Sequence, residues 1–152
     1  VGNIDNDILA KMQEMNLPSV RACGPVGFSE AAAYQKDADI LVSIEPDGSH
    51  PLIGAFFPSK LLDYAVAGKP VLAITPRDSE AWRWCGDGYG WAFEPSDLSG
   101  LCAFLHQAIV ALKSGRWEAY WHPPAIDPVV GVQSNVLALE SRMLQLVAGN
   151  PL

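Results

Sequence analysis

Three polar side chains stand close together at the start of a predicted helix: Ser59, Lys60 and Asp63, directly after Phe57 and Pro58. A helix N-terminus presents unpaired N–H groups and a partial positive charge, which favour a phosphate, and Lys60 adds a full charge. Asp63 lies one turn further along the same face, where its carboxylate can accept two hydrogen bonds from a vicinal diol such as a ribose. The three residues therefore suit a phosphate at the helix start and a vicinal diol one turn further on.

Two simpler interpretations of these residues stay open at this point. Ser59 can be a plain helix cap that needs no ligand. Lys60 and Asp63 can form an exposed i,i+3 ion pair, which stabilises a helix by only about 0.2–0.5 kcal/mol.

Size and composition describe a globular domain with an acidic surface. The chain has 152 residues, of which 49% are hydrophobic and 18% charged, so one real core is feasible. A net charge of −7 argues against a general binder of nucleic acid or anionic membrane, because phosphate contacts need clustered Lys and Arg. The first residue is Val1 and not Met, and we expect the chain to be part of a longer protein.

The cysteines and the hydropathy pattern indicate the cellular compartment in which the protein works. Cys23, Cys85 and Cys102 lie far apart without a C-x-x-C motif, which suits a reducing compartment with buried thiols and predicts no metal site. No apolar run approaches the roughly 18 residues that span a bilayer, and no signal peptide is visible. We expect a cytoplasmic protein, and peripheral membrane association of the full-length protein stays compatible with this pattern.

Helical and strand patterns alternate along the chain, which predicts an α/β fold. An open, doubly wound, Rossmann-like parallel sheet with helices on both faces accounts for the alternation and for the nearly continuous apolar strands. The predicted strands are SVRAC, DILVSIE, VLAIT and GYGWAFE, and helices are predicted at about 59–67, 97–113 and 134–147, with Ser29 and Ser79 among the caps. We expect residues 1–116 to form this domain and residues 117–152 to form an aromatic and Pro-rich segment with a C-terminal helix.

Ligands of such sheets bind beyond the carboxyl ends of the strands. The longest loop expected at that edge runs over 45–57, carries Glu45, Asp47 and His50, and leads into the predicted helix start at Pro58. No G-x-S-x-G, P-loop or G-x-G-x-x-G motif occurs in the chain, which argues against the hydrolase and nucleotide-binding sites that those motifs mark.

Three segments in this order resemble the C-terminal, donor-binding domain of GT-B glycosyltransferases of the group 1 family. They are VRACGPVGFSEAAAYQKDADILVSIEP, FFPSKLLDYAVAGKPVLAIT and GDGYGWAFEPSDLSGLCAFLHQAI. The family pattern has a Gly turn, an Ala-Asp pair, an acidic helix residue, an Ala-x-Gly-x-Pro-Val stretch, a later Gly and a Pro-x-Asp. The matching residues here are Gly24, Ala38-Asp39, Asp63, Ala67–Val71, Gly90 and Pro95–Asp97, and the similarity covers roughly residues 1–114.

The resemblance implies a role for each part of the candidate site. Asp63 holds the position of the second acid of the family's E-x7-E motif, which binds the donor ribose, and Ala55 stands where the first acid would contact the transferred sugar. Substitutes for that acid are Glu45, Asp47, His50 or the backbone near Ala55. The segment Phe57, Pro58, Ser59 and Lys60 would meet the diphosphate, and Gly24, Pro25 and Val26 would contact the base through their backbone.

The function implied is transfer of a sugar from a nucleotide diphosphate sugar to an unknown acceptor, without a cofactor and without a required metal. The catalytic residues stay unknown. An acceptor-binding N-terminal domain would be the partner, and the C-terminal segment with Trp117, Tyr120 and Trp121 would pack on it. Two alternatives remain: a non-catalytic GT-B-like binding or scaffolding module, which Ala55 favours, and a sugar-nucleotide epimerase-like domain.

Overall fold

The computed structural model describes residues 2–45, 57–122 and 124. The chain divides into two compact units, Val1–Ala38 and Asp39–Leu152. The helix predicted at 134–147 lies outside the described residues, as do Asp47, His50 and Ala55. No helix of the described part is long and apolar enough to cross a membrane.

The first unit contains two helices, α1 (Asn6–Glu14) and α2 (Phe28–Asp37). The prediction of a strand over SVRAC is wrong, since residues 19–23 join no sheet and Val20 is 51% exposed. Five residues between Pro18 and the Gly24-Pro25 turn offer little apolar surface, and a strand is stable only with a hydrogen-bonded neighbour. The helix predicted from a Ser29 cap begins instead at Phe28, with Gly27 as its N-cap.

The second unit is built on a three-stranded parallel sheet in the order β1-β2-β3. The strands are β1 (Leu41–Ile44), β2 (Val71–Ile74) and β3 (Gly90–Phe93). Val71 pairs with Leu41 on one side and with Gly90 on the other, so the three strands start level. The predicted α/β class and parallel sheet are therefore present in this unit.

Four helices connect or follow these strands: α3 (Lys60–Ala67), α4 (Glu80–Trp84), α5 (Leu98–Lys113) and α6 (Trp117–Tyr120), with a π-type turn at Cys85–Tyr89. The end of α3 and the start of α4 follow the predicted signals. Gly68 ends α3 with φ of 67°, a left-handed conformation that suits glycine. The side chain of Ser79 caps α4 by accepting from Trp82 N, and that of Asp97 caps α5 by accepting from Gly100 N at 2.9 Å.

The core covers both faces of β2. On one face Val71 and Ala73 pack with Leu61 of α3 and with the α4 region, and on the other Leu72 packs with Phe104 of α5. Burial of apolar surface of this kind stabilises a fold by roughly 25 cal/mol per Å².

The prediction that the strands are buried on both faces is wrong for β1. Leu41 and Ser43 are buried, whereas Val42 and Ile44 are 46% and 64% exposed. Val42 lies on the same sheet face as its register partner Leu72. Helix α5 packs on that face over Leu72, whereas Val42 stays exposed. One face of β1 is therefore open.

The aromatic residues at the end of the described chain belong largely to this unit's own core. The rings of Trp117 and Tyr120 lie 6.2 and 5.5 Å from that of Trp91, and Trp121 Nε1 donates to Gly88 O at 3.3 Å. The three side chains stay half-buried, and their expected contact with another domain stays a prediction. The expectation of buried thiols holds for Cys85 and is wrong for Cys102, which is exposed.

Candidate functional site

The carboxyl ends of the three strands lie along one edge of the sheet. Glu45 N donates to Ile74 O and Thr75 N donates to Phe93 O, both at 2.9 Å, so the ladder continues one residue past β1 and β2. Glu45, Thr75 and Glu94 therefore follow neighbouring strands at the edge where ligands of parallel sheets bind.

Helix α3 follows β1 in the chain, and Leu61 on its apolar face packs against Val71 and Ala73 of β2. Leu61 and Ala65 are buried, Lys60 is half-buried, and Ser59 and Asp63 are exposed. The periodicity of the helix thus directs the two apolar residues to the sheet and leaves the three polar residues accessible at its first turn.

At the start of α3, the first N–H groups have no partner among the described residues. Leu61 N bonds to Pro58 O at 2.9 Å and Leu62 N to Ser59 O at 3.1 Å. The N–H groups of Ser59 and Lys60 precede these bonds and have no partner within the helix itself. They are the groups that can meet an anion.

Neither simple interpretation of the three polar residues describes the structure. Ser59 has helical angles, φ −54° and ψ −30°, and its side chain makes no capping hydrogen bond. Among the described residues the ion pairs are Arg77–Glu94 and Arg83–Glu80, so Lys60 and Asp63 are not paired with each other there. Among the described residues, the side chains of Ser59, Lys60 and Asp63 therefore have no hydrogen-bond or ion-pair partner.

An aromatic stack anchors the segment before α3. The Phe57 ring meets Trp84 edge-on at 5.1 Å, and Trp84 stacks on Tyr89 at 4.0 Å. Trp84 also packs against the buried cluster of Val71 and Ala73, as expected for a core tryptophan. Its Nε1 is buried and has no hydrogen-bond partner among the described residues.

A chain of hydrogen bonds runs from α4 to Glu45. Trp82 N donates to Ser79 Oγ at 3.0 Å, Ser79 Oγ lies 2.6 Å from Thr75 Oγ1, and Thr75 Oγ1 donates to the Glu45 carboxylate. Thr75 and Ser79 are fully buried, whereas Glu45 is half-buried. Sequence reasoning identified Glu45 and the Ser79 cap but missed Thr75, whose signal was a hydroxyl at the end of an otherwise apolar strand.

Arg77 adds a second cation to the same edge, which sequence reasoning also missed. Its guanidinium lies 3.4 Å from the Glu94 carboxylate and 5.3 Å from the centre of the Trp82 ring. The Arg77 side chain is 71% exposed, so the pair with Glu94 adds little to stability. The sequence feature that could have identified Arg77 is the Pro-Arg dipeptide directly after a predicted strand.

The residues predicted to contact the base belong to the first unit. Gly24 has φ of 69°, and its carbonyl accepts from Gly2 N at 2.7 Å, so a Gly turn is present as predicted. Pro25 is exposed and Val26 is half-buried.

Two ionisable side chains on the α3 face of the sheet have perturbed pKa values. Burial, and secondarily the charge of Asp63, raise the pKa of Tyr64, whose Oη donates to Val42 O at 3.3 Å. Burial raises the pKa of the Cys85 thiol to about 12. The described residues contain no group of three His, Cys, Asp or Glu side chains that could hold a metal ion.

A separate groove of 480 Å³ lies on α5 and α6 and contains none of the residues of the carboxyl edge. It is lined by His106, Gln107, Val110, Ala111, Arg116, Ala119 and Tyr120.

No protein-family model matches the chain, and neither the curated proteins nor the solved structures include a match. The function is therefore inferred from the residues and from the geometry of the edge.

Proposed function

We propose that this chain is the donor-binding domain of a GT-B glycosyltransferase similar to those of the group 1 family. The full-length protein would transfer a sugar from a nucleotide diphosphate sugar to an acceptor in the cytoplasm. In this proposal the three-stranded sheet belongs to a doubly wound, Rossmann-like domain. The observation that carries the proposal is the accessible group of Ser59, Lys60 and Asp63 at the start of α3, which has neither a capping bond nor an ion pair among the described residues.

The chemistry of sugar transfer matches the groups at this edge. Loss of the nucleoside diphosphate builds negative charge on its phosphates, and preorganised donors that meet this charge lower the barrier. The N–H groups at the start of α3 and the ammonium of Lys60 are such donors. The reaction then needs no metal to stabilise the leaving group, and Asp63 accepts from the ribose hydroxyls.

Ala55 favours a second candidate, a binding module that keeps the domain without the reaction. The resemblance places a sugar-binding acid at this position, and the alanine side chain has no group that can accept a hydrogen bond. A non-catalytic module would bind the nucleotide diphosphate through α3 but would not discriminate between the free diphosphate and its sugar.

Binding of UDP, GDP and ADP, measured by calorimetry, tests the proposal. We expect one of them to bind the wild-type chain, and we expect Asp63→Asn to weaken it about tenfold or more, because hydrogen bonds to a charged group contribute about 1.5–3 kcal/mol. The matched control is Asp87→Asn, which removes another exposed carboxylate and should leave the affinity unchanged. Absence of binding by all three nucleotides, or equal binding by Asp63→Asn, would show that the proposal is wrong.

A further inference from the structure

The groove on α5 and α6 has the size and the lining of a small-molecule site. Its volume of 480 Å³ falls within the range of about 300–1,000 Å³ that is typical of ligand pockets. Apolar surface comes from Val110, Ala111 and Ala119, and the ring of Tyr120 belongs both to the groove and to the aromatic cluster with Trp91. A mostly apolar lining with a few polar groups suits a ligand that has an apolar body and one polar end.

The cation of this groove, Arg116, is placed by the way in which α5 ends. Gly115 has φ of 67°, and its N–H donates to Leu112 O at 3.2 Å. The next N–H, that of Arg116, donates to Ala111 O at 3.0 Å. These are the two bonds of a Schellman turn, in which a left-handed glycine closes the helix. The end of α5 therefore fixes the backbone at Arg116.

The guanidinium of Arg116 is oriented by side-chain hydrogen bonds at the same turn. Its Nε donates to Ser114 Oγ at 2.9 Å, and Ser114 Oγ donates to Ala111 O at 3.2 Å. The Ser114 hydroxyl uses its single proton on the carbonyl and its lone pairs on the guanidinium, so the two bonds are compatible. The terminal amino groups of Arg116 carry the remaining N–H donors, and these have no partner among the described residues.

Arg116 is not used to satisfy the end of α5 or to neutralise a nearby acid. Basic side chains near a helix C-terminus often donate to the last carbonyls, but the carbonyls of residues 110–112 already accept from the backbone N–H groups of residues 114–116. The stretch 98–117 contains none of the 17 acidic residues of the chain. Glu118, the next acid, forms no ion pair with Arg116 among the described residues. The guanidinium can therefore meet an anion from outside.

We propose that this groove binds a small organic monocarboxylate, with the carboxylate on Arg116 and the apolar body along Val110 and Ala119. A planar guanidinium matches a carboxylate in a bidentate pair, and Ser114 is its positioning residue, which reduces the freedom lost on binding. Arg116 is the one permanently charged side chain among the described residues of the lining, so it balances a monoanion better than a phosphate dianion. The site shares no residue with the proposed nucleotide site and is independent of it.

Hexanoate, hexanamide and acetate are the probes, because they separate the contribution of the charge from that of the apolar body. Each is titrated into the isotope-labelled chain, and the backbone amide signals of Gln107, Val110 and Ala119 are followed. Hexanoate should bind about fivefold more tightly than hexanamide, which lacks the charge, and than acetate, which lacks the apolar body.

Single substitutions assign the two parts of the site. Arg116→Gln should abolish the preference for hexanoate over hexanamide, and Arg21→Gln is the matched control, since it removes an exposed arginine of the first unit. Ser114→Ala releases the guanidinium and should reduce the preference about twofold without a change in hexanamide affinity. Ala119→Phe fills the groove at an exposed position and should weaken the binding of both six-carbon probes.

Equal affinity of the wild-type chain for hexanoate and hexanamide, or a preference that survives Arg116→Gln, would show that the carboxylate contact is wrong. Amide signals on α5 and α6 that do not move with hexanoate, or hexanoate affinity that is unchanged in Ala119→Phe, would show that the groove is not the site. The amide spectrum of each variant without probe shows whether it is folded. Nucleotide binding involves other residues, so its failure and the failure of this inference are distinguishable.

Discussion

At the scale of single residues, the buried thiol of Cys85 differs from the exposed thiol of Cys102. Cys85 is 4% exposed and packs with Leu61, Val71 and Ala81, and its pKa is raised to about 12 because burial disfavours the thiolate. The thiolate is the form that reacts with electrophiles, so the two thiols should react at very different rates.

Labelling with a disulfide reagent at pH 8 checks this difference. With a pKa of about 12, a fraction of only about 10⁻⁴ of Cys85 is ionised at that pH. Cys102 should react within minutes, and Cys85 should react only on unfolding. Rapid modification of a Cys102→Ala variant at Cys85, read by mass spectrometry of its peptides, would contradict the described burial.

The same pKa shift predicts a loss of stability at high pH. The folded thiol has a pKa of about 12, whereas an exposed thiol has a pKa of about 9.0, so between these values the unfolded chain loses the proton that the folded chain keeps. The contribution is fully present below pH 9 and falls as pH rises toward 12, by up to about 1.4 kcal/mol per pH unit. Urea unfolding over this window should show a shallower decline for Cys85→Ala than for Cys102→Ala.

Both variants keep the other titrating groups, so only the difference between their slopes reports on Cys85. Equal slopes would mean that the Cys85 thiol has a similar pKa in the folded and unfolded states.

At the scale of elements, Gly90 and Gly68 both resist replacement by a larger residue, for different physical reasons. Gly90 starts β3 with φ of 156°, and a Cβ there would lie 1.9 Å from Val71 O. Gly68 ends α3 with φ of 67°, and a Cβ there would meet nothing within 4 Å. The first position is constrained by the neighbouring strand and the second only by backbone conformation.

Alanine substitutions should therefore differ in cost. Gly68→Ala is expected to lower the free energy of unfolding by about 1–2 kcal/mol, which is the cost of the left-handed conformation. Gly90→Ala is expected to cost more than that, since β2 and β3 must separate to admit the methyl group. Urea unfolding measures both, and an equal or smaller cost for Gly90→Ala would contradict the β2–β3 register.

Elements with local signals could be predicted from the sequence, and elements that depend on distant neighbours could not. Helix α3 and the Ser79 cap follow from periodicity and from a side-chain hydrogen bond a few residues away. The strand predicted over SVRAC was wrong because strand formation requires a partner that no local pattern reveals. The exposed face of β1 could not be predicted for the same reason, because an apolar residue in the sequence does not indicate which element packs on it.

The same distinction applies to the candidate site. Ser59, Lys60 and Asp63 are close in sequence, so their common position on one helix could be predicted. Thr75 and Glu45 are 30 residues apart, and their contact depends on the parallel pairing of β1 with β2. The role of Thr75 therefore appears only in the folded chain.

At the scale of the whole molecule, we propose that the carboxyl edge of the second unit binds the nucleotide. The groups at this edge come from α3, β1 and β2. The groove on α5 and α6, which includes Gln107, Val110 and Ala119, contains none of them. The location of a bound nucleotide therefore distinguishes the proposal from other uses of the fold.

The most direct test is an NMR titration of the isotope-labelled chain with UDP, GDP and ADP, followed through the backbone amide signals. The account predicts that one nucleotide shifts the amides of Ser59, Lys60 and Asp63, together with that of Thr75, and that Asp63→Asn reduces these shifts at equal concentration. Signals that move only around Gln107 and Ala119 on α5 and α6, or no movement with any of the three nucleotides, would contradict it.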